Sequence, residues 1–314
     1  MAKVVVFDGY GGPEVLHIAE VPDPEAGPAQ VRIRVRAAGV QPFDCATRRG
    51  DFATYNQLRF PVRLGNEAAG VIDQVGAGVS DFAPGDEAIA FMTMEGYADT
   101  VVVPAEQVAP KPATMPWPQA GGLTASGQTA WTALDELAVK PGETLLVHAA
   151  AGGVGSMAVQ LGRIREAVVV GTASPRNHEY LRSMDAIPVT YGPGLADRVR
   201  AAAPGGVDKV LDAIGGADVL EASLELTRGE RDRIVTVADW ANAARLGIRR
   251  IGTERSARKL RDLTELYTQR RLRVEVADTF PLERAADAHR EVETGHVRGK
   301  VVLTVATPGD GDTG

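Results

Sequence analysis

The stretch from Thr144 to Arg163 constrains the fold of this chain more than any other part of the sequence. It begins with the short apolar run Leu145, Leu146 and Val147, which is typical of a buried parallel strand. From Gly153 onwards, small and apolar residues recur at helical spacing. A strand that passes through a glycine-rich loop into a helix predicts one βαβ unit of a dinucleotide-binding fold.

The loop itself, residues 150–155, has the glycine spacing of a pyrophosphate-binding turn, with alanine in the first glycine position. Gly152 would let the backbone approach a pyrophosphate closely, and Gly155 would let the helix pack against the strand. The N–H groups at the start of the helix would then face the anion. Alanine and glycine runs also occur wherever a helix crosses a sheet tightly, so the loop alone is a weak signal.

The residues after the second predicted strand, near Val168 to Val170, indicate which nucleotide is bound. An NAD-binding fold places an acidic residue there, on the ribose hydroxyl, whereas this chain has Ser174 and Arg176. A hydroxyl and a guanidinium would hold a 2′-phosphate that a carboxylate would repel. We therefore predict NADPH rather than NADH as the cofactor. Alternatively, Ser174 caps the helix that begins at Pro175 and Arg176 is a solvated charge, and the two roles are compatible.

Length and composition predict an ordinary globular protein of two domains. The chain has 314 residues, of which 44% are hydrophobic and 24% charged. It has no apolar run of membrane-spanning length, and its start lacks the long apolar region of a secretory signal. We therefore expect a cytoplasmic protein without a membrane partner.

Cysteine content and charge exclude further classes of protein. Cys45 is the single cysteine, which excludes intramolecular disulfides and any zinc site with several cysteines. A net charge of −7 argues against a nucleic-acid partner. The basic run from Arg245 to Arg261 opposes that average, and we interpret it as a solvated helix face.

The order of predicted elements indicates an α/β protein with two domains. Residues 1–117 contain short strands separated by Gly and Pro turns, which is typical of a partly closed β-barrel. Residues 118–272 mostly alternate strands and helices, with no helix expected between the strands Arg233 to Val237 and Ile248 to Gly252, and predict a doubly wound parallel sheet. Residues 273–314 return to short strands, and we expect them to complete the first domain. A ligand would then bind between the domains, at the carboxyl ends of the sheet strands.

The order of motifs resembles the zinc-independent quinone oxidoreductases (zeta-crystallin-like) of the medium-chain dehydrogenase/reductase superfamily. The matching stretches cover nearly the whole chain and are Gly65-Asn66-Glu67-Ala68-Ala69-Gly70, Pro84-Gly85-Asp86-Glu87, Gly127-Gln128-Thr129-Ala130, His148 to Gly155, and Gly299-Lys300-Val301-Val302. The resemblance implies a GroES-like catalytic domain, a Rossmann domain and commonly a homodimer. Zinc members carry a cysteine and a histidine where this chain has Gln41 and Asn66, so no metal is expected.

The resemblance also implies positions for the cofactor. Thr129 would lie against the nicotinamide. The pyrophosphate would be held by Gly152, Gly153, Val154 and Gly155. The adenosine 2′-phosphate would be surrounded by Ser174, Arg176 and Tyr191. We interpret His148 as a packed histidine rather than a catalyst.

We name Gln41, Asp44 and Tyr55 as candidate catalytic residues. Gln41 would donate a hydrogen bond to the substrate oxygen on which negative charge develops after hydride transfer from NADPH, or would instead bind the cofactor or local backbone. Asp44 would either act as an acid or structure the loop; we favour the structural role, because Asp44 lies next to a turn proline and we expect an exposed carboxylate, which is ionised at neutral pH. Tyr55 or bulk water would supply the proton. Some relatives place a tyrosine where this chain has Ala46, so the acid step departs from their pattern.

The favoured function is an NADPH-dependent reductase of small-molecule quinones or α,β-unsaturated carbonyls. One alternative is a tailoring reductase, or a redox-neutral enzyme, of specialised metabolism on the same fold. Another is a non-catalytic protein that binds NADPH or RNA, for which the basic run is the one supporting feature. The predicted strand Ile248 to Gly252 would form a sheet edge where a second subunit could add.

Overall fold

The computed structural model describes residues 1–54 and 57–306. The chain divides into two compact units. The first contains residues 1–125, 256–268 and the segment from 274 onwards, and the second contains residues 126–255 and 269–273. The segment 256–268 thus groups with the first unit, although the sequence analysis assigned it to the second domain. The domain limits at 117/118 and 272/273 stay a prediction.

Strands and helices follow one another along the described chain as follows. The strands are β1 Ala2–Phe7, β2 His17–Val21, β3 Gln30–Val40, β4 Val62–Arg63, β5 Glu67–Val75, β6 Glu87–Phe91, β7 Thr100–Pro104, β8 Val108–Pro110, β9 Thr144–Val147, β10 Val168–Thr172, β11 Ile187–Val189, β12 Lys209–Asp212, β13 Ile234–Thr236, β14 Arg249–Arg250, β15 Val276–Pro281 and β16 Lys300–Thr304. The helices are α1 Pro42–Arg49, α2 Trp117–Gly121, α3 Thr124–Glu136, α4 Gly153–Ile164, α5 His178–Arg182, α6 Leu195–Ala202, α7 Ala217–Leu226, α8 Trp240–Leu246, α9 Ala257–Thr268 and α10 Ala285–Glu293.

The first unit is organised around β3, the longest strand of its larger sheet. Within the described residues the strand order of that sheet is β15-β16-β3-β5-β6-β8, with β7 also paired to β3. The alternating sequence of β3 buries Val31, Ile33 and Val35 and leaves the arginines between them partly exposed. Arg32 and Arg34 both bind Asp73 of β5, with N–O distances of 2.8 and 2.7 Å. β3 is therefore a half-exposed strand.

The second unit contains a parallel sheet with the order β11-β10-β9-β12-β13-β14 among the described residues. The first two strands in sequence, β9 and β10, lie inside it, and the chain crosses from β11 back over them to β12. This is the strand order of a doubly wound dinucleotide-binding sheet. The predicted α/β fold, with a GroES-like unit and a Rossmann-like sheet, is confirmed.

Three local elements differ from the prediction. No helix was expected between the strands that became β13 and β14, yet α8 forms there because Asp239 caps it, accepting a hydrogen bond from Asn242 N. The helix predicted from Pro175 is a 3₁₀ turn followed by α5. The predicted strand Ile248 to Gly252 shortens to the two residues of β14.

No helix within residues 1–54 and 57–306 combines the length and the apolarity that crossing a bilayer would require.

Candidate active site

The turn from β3 into α1 presents Gln41, the first predicted catalytic residue. Gln41 is the N-cap of α1 in extended conformation, and Pro42 takes the first helical position, where its missing N–H costs nothing. The backbone N–H of Gln41 donates to Asp44 Oδ2 at 2.9 Å. Gly50 ends the helix with a φ of 89°, in the left-handed region that glycine adopts without strain.

Asp44 is fully buried, so the expectation of an exposed carboxylate is wrong. Besides Gln41 N, it accepts hydrogen bonds from Asn66 Nδ2 at 2.7 Å, Tyr97 OH at 2.9 Å and Gly65 N at 3.4 Å. Burial raises the pKa of Asp44 to about 6, although the hydrogen bonds oppose that change. These contacts hold the turn from below, and sequence reasoning missed Tyr97 because it lies 53 residues away.

Gln41 is itself nearly buried, with 8% of its surface exposed. Its side-chain Nε2 donates to Glu67 Oε1. Glu67 also pairs with Lys300 Nζ at 3.1 Å and accepts a hydrogen bond from Ala125 N at 2.7 Å. We call the residues joined in this way the Gln41 cluster: Gln41, Asp44, Asn66, Glu67, Tyr97 and Lys300.

The two positions where zinc relatives carry ligands are thus held by hydrogen bonds between amides and carboxylates. Gln41 binds Glu67, and Asn66 binds Asp44. Across residues 1–54 and 57–306, no group of three or more His, Cys, Asp or Glu side chains is arranged to hold a metal ion. Tyr55, the remaining catalytic candidate, lies outside the described residues.

The glycine-rich loop of the second unit joins β9 to α4, as predicted. The N-cap of α4, Gly152, provides no side-chain hydrogen bond to the helix, so the first-turn N–H groups lack that partner. A Cβ on Gly155 would lie 2.1 Å from the carbonyl oxygen of Ala149, which shows how closely the helix approaches the loop. An uncapped helix start behind a buried parallel strand fits a pyrophosphate, because its donors and its dipole both favour an anion.

His148 directly follows β9 beside this loop and is buried, as expected for a packed histidine. Its Nδ1 lies 3.3 Å from Thr172 Oγ1 and its Nε2 lies 3.0 Å from Ser223 Oγ. Burial lowers the pKa of His148 to about 4, despite the opposing charge of Asp212. The histidine is therefore neutral at physiological pH. Its partners are side chains from β10 and α7, which local sequence could not reveal.

A further set of hydrogen bonds, not predicted from the sequence, links the end of β12 to the residues that follow β13. The fully buried Asp212 accepts hydrogen bonds from Thr236 Oγ1 at 2.6 Å and from Gly215 N at 2.9 Å. Asp239 in turn accepts one from Gly216 N at 2.9 Å. The signal was present in the sequence as an acid at a strand end, followed by a Gly-Gly pair. These contacts shape the loops at the carboxyl ends of β12 and β13.

The residues predicted around the 2′-phosphate follow β10 and β11. Ser174 is the N-cap of a 3₁₀ turn, but its hydroxyl makes no capping bond to the backbone, so that alternative role is not observed. Its Oγ lies 3.3 Å from Asn177 Nδ2. Arg176 is exposed, and Tyr191 is 52% exposed. Thr129 lies on α3, where its Oγ1 is 2.6 Å from Thr253 Oγ1.

Two family models match the chain. The alcohol dehydrogenase GroES-like domain matches residues 27–113, and the zinc-binding dehydrogenase model matches residues 189–303. The synaptic vesicle membrane protein VAT-1 homolog of Rattus norvegicus is 32% identical, over 96% of this chain and 83% of the relative. The pikromycin polyketide synthase component PikAII of Streptomyces venezuelae is 36% identical over 91% of this chain, a stretch that makes up 8% of that protein.

Solved structures resemble the whole chain. The quinone oxidoreductase from Coxiella burnetii has a TM-score of 0.86 and 31% identity, over 97% of this chain and 99% of that one. The Escherichia coli quinone oxidoreductase complexed with NADPH has a TM-score of 0.84 and 25% identity, over 96% and 99%. The CurK enoyl reductase has a TM-score of 0.87 and 25% identity, over 97% and 99%. The chain belongs to the medium-chain dehydrogenase/reductase family, within its quinone oxidoreductase branch.

Proposed function

We propose that this protein is an NADPH-dependent oxidoreductase that reduces quinones or α,β-unsaturated carbonyl compounds. The observation that carries the proposal is the start of α4, which follows β9 through the glycine-rich loop and has no side-chain cap. The residue after β10 supports the choice of cofactor, because it is Ser174 rather than an acid. The NADPH complex of the E. coli relative supports the same choice of cofactor.

The cofactor would be held by backbone at one end and by side chains at the other. The pyrophosphate would bind at Gly152, Gly153, Val154 and Gly155. Ser174, Arg176 and Tyr191 would surround the 2′-phosphate, since a guanidinium and hydroxyl groups complement its charge and its acceptor oxygens. Thr129 would lie beside the nicotinamide.

Bound NADPH would supply a hydride to the acceptor, and negative charge would develop on the conjugated oxygen. Gln41 retains a second Nε2–H beyond the one bound to Glu67, and this group would stabilise that oxygen. Asp44 would act by holding the turn that presents Gln41, because it is buried beneath it. Tyr55 or bulk water would supply the proton.

A second candidate is a tailoring reductase of specialised metabolism. It is favoured by the likeness to a polyketide synthase component and to an enoyl reductase, and by Ala46, which departs from the tyrosine of some relatives. Such an enzyme would act on one elaborate enone rather than on many simple acceptors.

We further propose a homodimer, with β14 as the contact. In the described part of the chain β14 ends the parallel sheet, and an exposed edge can pair with a second copy. Arginines of the basic run pair with acids, as Arg245 does with Glu221 and Arg249 with Glu136, which argues against a nucleic-acid partner. Analytical ultracentrifugation tests the dimer. A cytoplasmic location belongs to the same proposal.

Cofactor binding and turnover are tested separately. Calorimetric titration with NADPH and with NADH is expected to show tight binding of the phosphorylated form. Loss of reduced-nicotinamide absorbance is then followed with panels of quinones and enones, on protein whose zinc content is known from elemental analysis. Tight binding without turnover of any acceptor contradicts the reductase proposal, and stoichiometric zinc contradicts the metal-free mechanism. Selectivity for one elaborate enone favours the tailoring alternative.

A further inference from the structure

Glu67 is a fully buried carboxylate at the centre of the Gln41 cluster, and the proposed reaction has not so far given it a role. We propose that Glu67 is a positioning residue, which fixes the orientation of the Gln41 amide and so sets the rate of acceptor reduction. The proposal rests on the proposed function. The contacts that surround this one side chain support it.

The hydrogen bond between Gln41 and Glu67 fixes which way the Gln41 amide faces. A carboxylate only accepts hydrogen bonds, so the Gln41 amide must turn its NH₂ group, and not its carbonyl oxygen, towards Glu67 Oε1. The amide of a glutamine is otherwise free to flip, because its oxygen and nitrogen have nearly the same shape. Glu67 therefore selects one of two orientations.

The charge of Lys300 holds the Glu67 carboxylate in place. β16 runs antiparallel to β3 with Val301 opposite Val40, so Lys300 falls beside Gln41 at the end of the same ladder. The Lys300 side chain is 3% exposed, and its Nζ lies 3.1 Å from the Glu67 oxygen that Gln41 also binds. A buried carboxylate beside a buried ammonium is held in place, because moving either group would leave the other uncompensated.

The backbone around Gly39 restricts the space that is open to the Glu67 carboxylate. A Cβ on Gly39 would lie 2.1 Å from Glu67 Oε1 and 2.8 Å from the carbonyl oxygen of Gly121. The carboxylate therefore lies directly against the backbone of β3, two residues before Gln41, and only glycine leaves room for it. A side chain enclosed in this way cannot move aside without opening the strand.

The other carboxylate oxygen accepts a hydrogen bond from Ala125 N at 2.7 Å. This N–H belongs to the first turn of α3, where a negative charge is favourable. The same helix carries Thr129 further along. A purely structural role for Glu67, as a cap for α3, is the rival explanation that the experiment must exclude.

The test is a double-mutant cycle on kcat that combines Glu67→Gln with Gln41→Ala. If Glu67 acts through Gln41, Glu67→Gln alone lowers kcat by about 10- to 100-fold, the size expected for a misplaced active-site group. In the Gln41→Ala background, the same substitution then has little further effect. Full multiplication of the two losses, or an unchanged kcat in Glu67→Gln, overturns the proposal. The dissociation constant for NADPH is expected to stay within about 3-fold throughout, because the pyrophosphate loop is untouched.

Two controls separate positioning from a loss of folding. Glu67→Gln leaves Lys300 buried without its partner, so the cycle is repeated with Lys300→Met present in every variant. The matched control is Glu87→Gln, which breaks the Glu87–Lys111 pair at 2.7 Å in the same unit without touching the Gln41 cluster. That variant is expected to keep the kcat of the wild type, and a loss equal to that of Glu67→Gln overturns the proposal.

A readout that needs no turnover follows the Gln41 side-chain NH₂ signal by NMR, assigned by its loss in Gln41→Ala. The signal is expected to exchange slowly with solvent in the wild type, and to shift and exchange faster in Glu67→Gln. An unchanged signal overturns the orientation claim. If the wild type binds NADPH but reduces no acceptor, the proposed function fails, and this signal alone then decides whether Glu67 orients the amide.

Discussion

The Gln41 cluster of the first unit and the glycine-rich loop of the second unit are built in opposite ways. The cluster joins side chains that are far apart in sequence, with Asp44 bonded across 53 residues to Tyr97. The loop is local, as in the bond from Gly152 N to Ala149 O. The first depends on charged and polar side chains, and the second on backbone and the absence of side chains. A substitution should therefore act on orientation in one region and on binding in the other.

The largest effect is expected at Gly155. In Gly155→Ala, the added Cβ would lie 2.1 Å from a backbone oxygen, so the start of α4 must move and its N–H groups would leave the proposed pyrophosphate site. We expect NADPH affinity to fall by at least about 100-fold by calorimetry. Gly205→Ala is the control, because nothing lies within 4 Å of the added atom and its φ is ordinary. Unimpaired NADPH binding by Gly155→Ala would erase the contrast between the two regions.

The next effect is a loss of stability at acidic pH, which should be larger in the second unit than in the first. His148 has a folded pKa of about 4 against an ordinary 6.5, so the unfolded chain binds a proton first as the pH falls. The neutral histidine therefore stabilises the folded second unit above pH 6.5, and this contribution is lost as the pH falls towards 4.

In the first unit two groups oppose each other. The pKa of His289 is lowered to about 3 by burial and by nearby arginines. The stability that the neutral His289 contributes to the folded unit is therefore also lost as the pH falls below 6.5. Asp44, with a pKa of about 6 against 3.8, takes up a proton in the folded state first, so its effect on stability improves as the pH falls through 6. Hydrogen exchange of peptides from each unit should therefore show the second unit loosening more on acidification. Equal loosening of both units would be evidence against this difference.

A smaller effect is expected from the residues proposed around the 2′-phosphate. Arg176→Ala removes a positive charge from that site, and we expect NADPH affinity to fall by about 10-fold while NADH affinity barely changes. Arg182→Ala removes an exposed arginine of α5 and serves as the control. A parallel loss for both nucleotides in Arg176→Ala would assign the arginine to folding rather than to phosphate recognition.

The smallest effect is expected at Cys45, which is 1% exposed. Burial raises the pKa of its thiol to about 12, so little thiolate forms and native protein should resist thiol reagents. Labelling followed by mass spectrometry should be complete only after unfolding. Rapid labelling of the native protein would show that the first unit opens more readily than its dense hydrogen bonding implies.

The same contrast explains what the sequence could predict. The loop near Gly155 and the succession of strands and helices around it follow from residues close together in the chain, so their periodicity and spacing were sufficient. The burial of Asp44 and its bonds to Asn66 and Tyr97 depend on pairing between distant strands, and no local pattern carries that information. The helix α8 was missed for a different reason, because its one clear signal was the cap Asp239.

The sealed position of the single cysteine makes the chain a convenient host for reporter groups. New cysteines placed at exposed sites, one in each unit, could carry spin labels or fluorophores without removal of the native thiol, since Cys45 would not compete for the reagent. Distances measured between such labels, with and without added nucleotide, would show whether the nucleotide changes the separation of the two units.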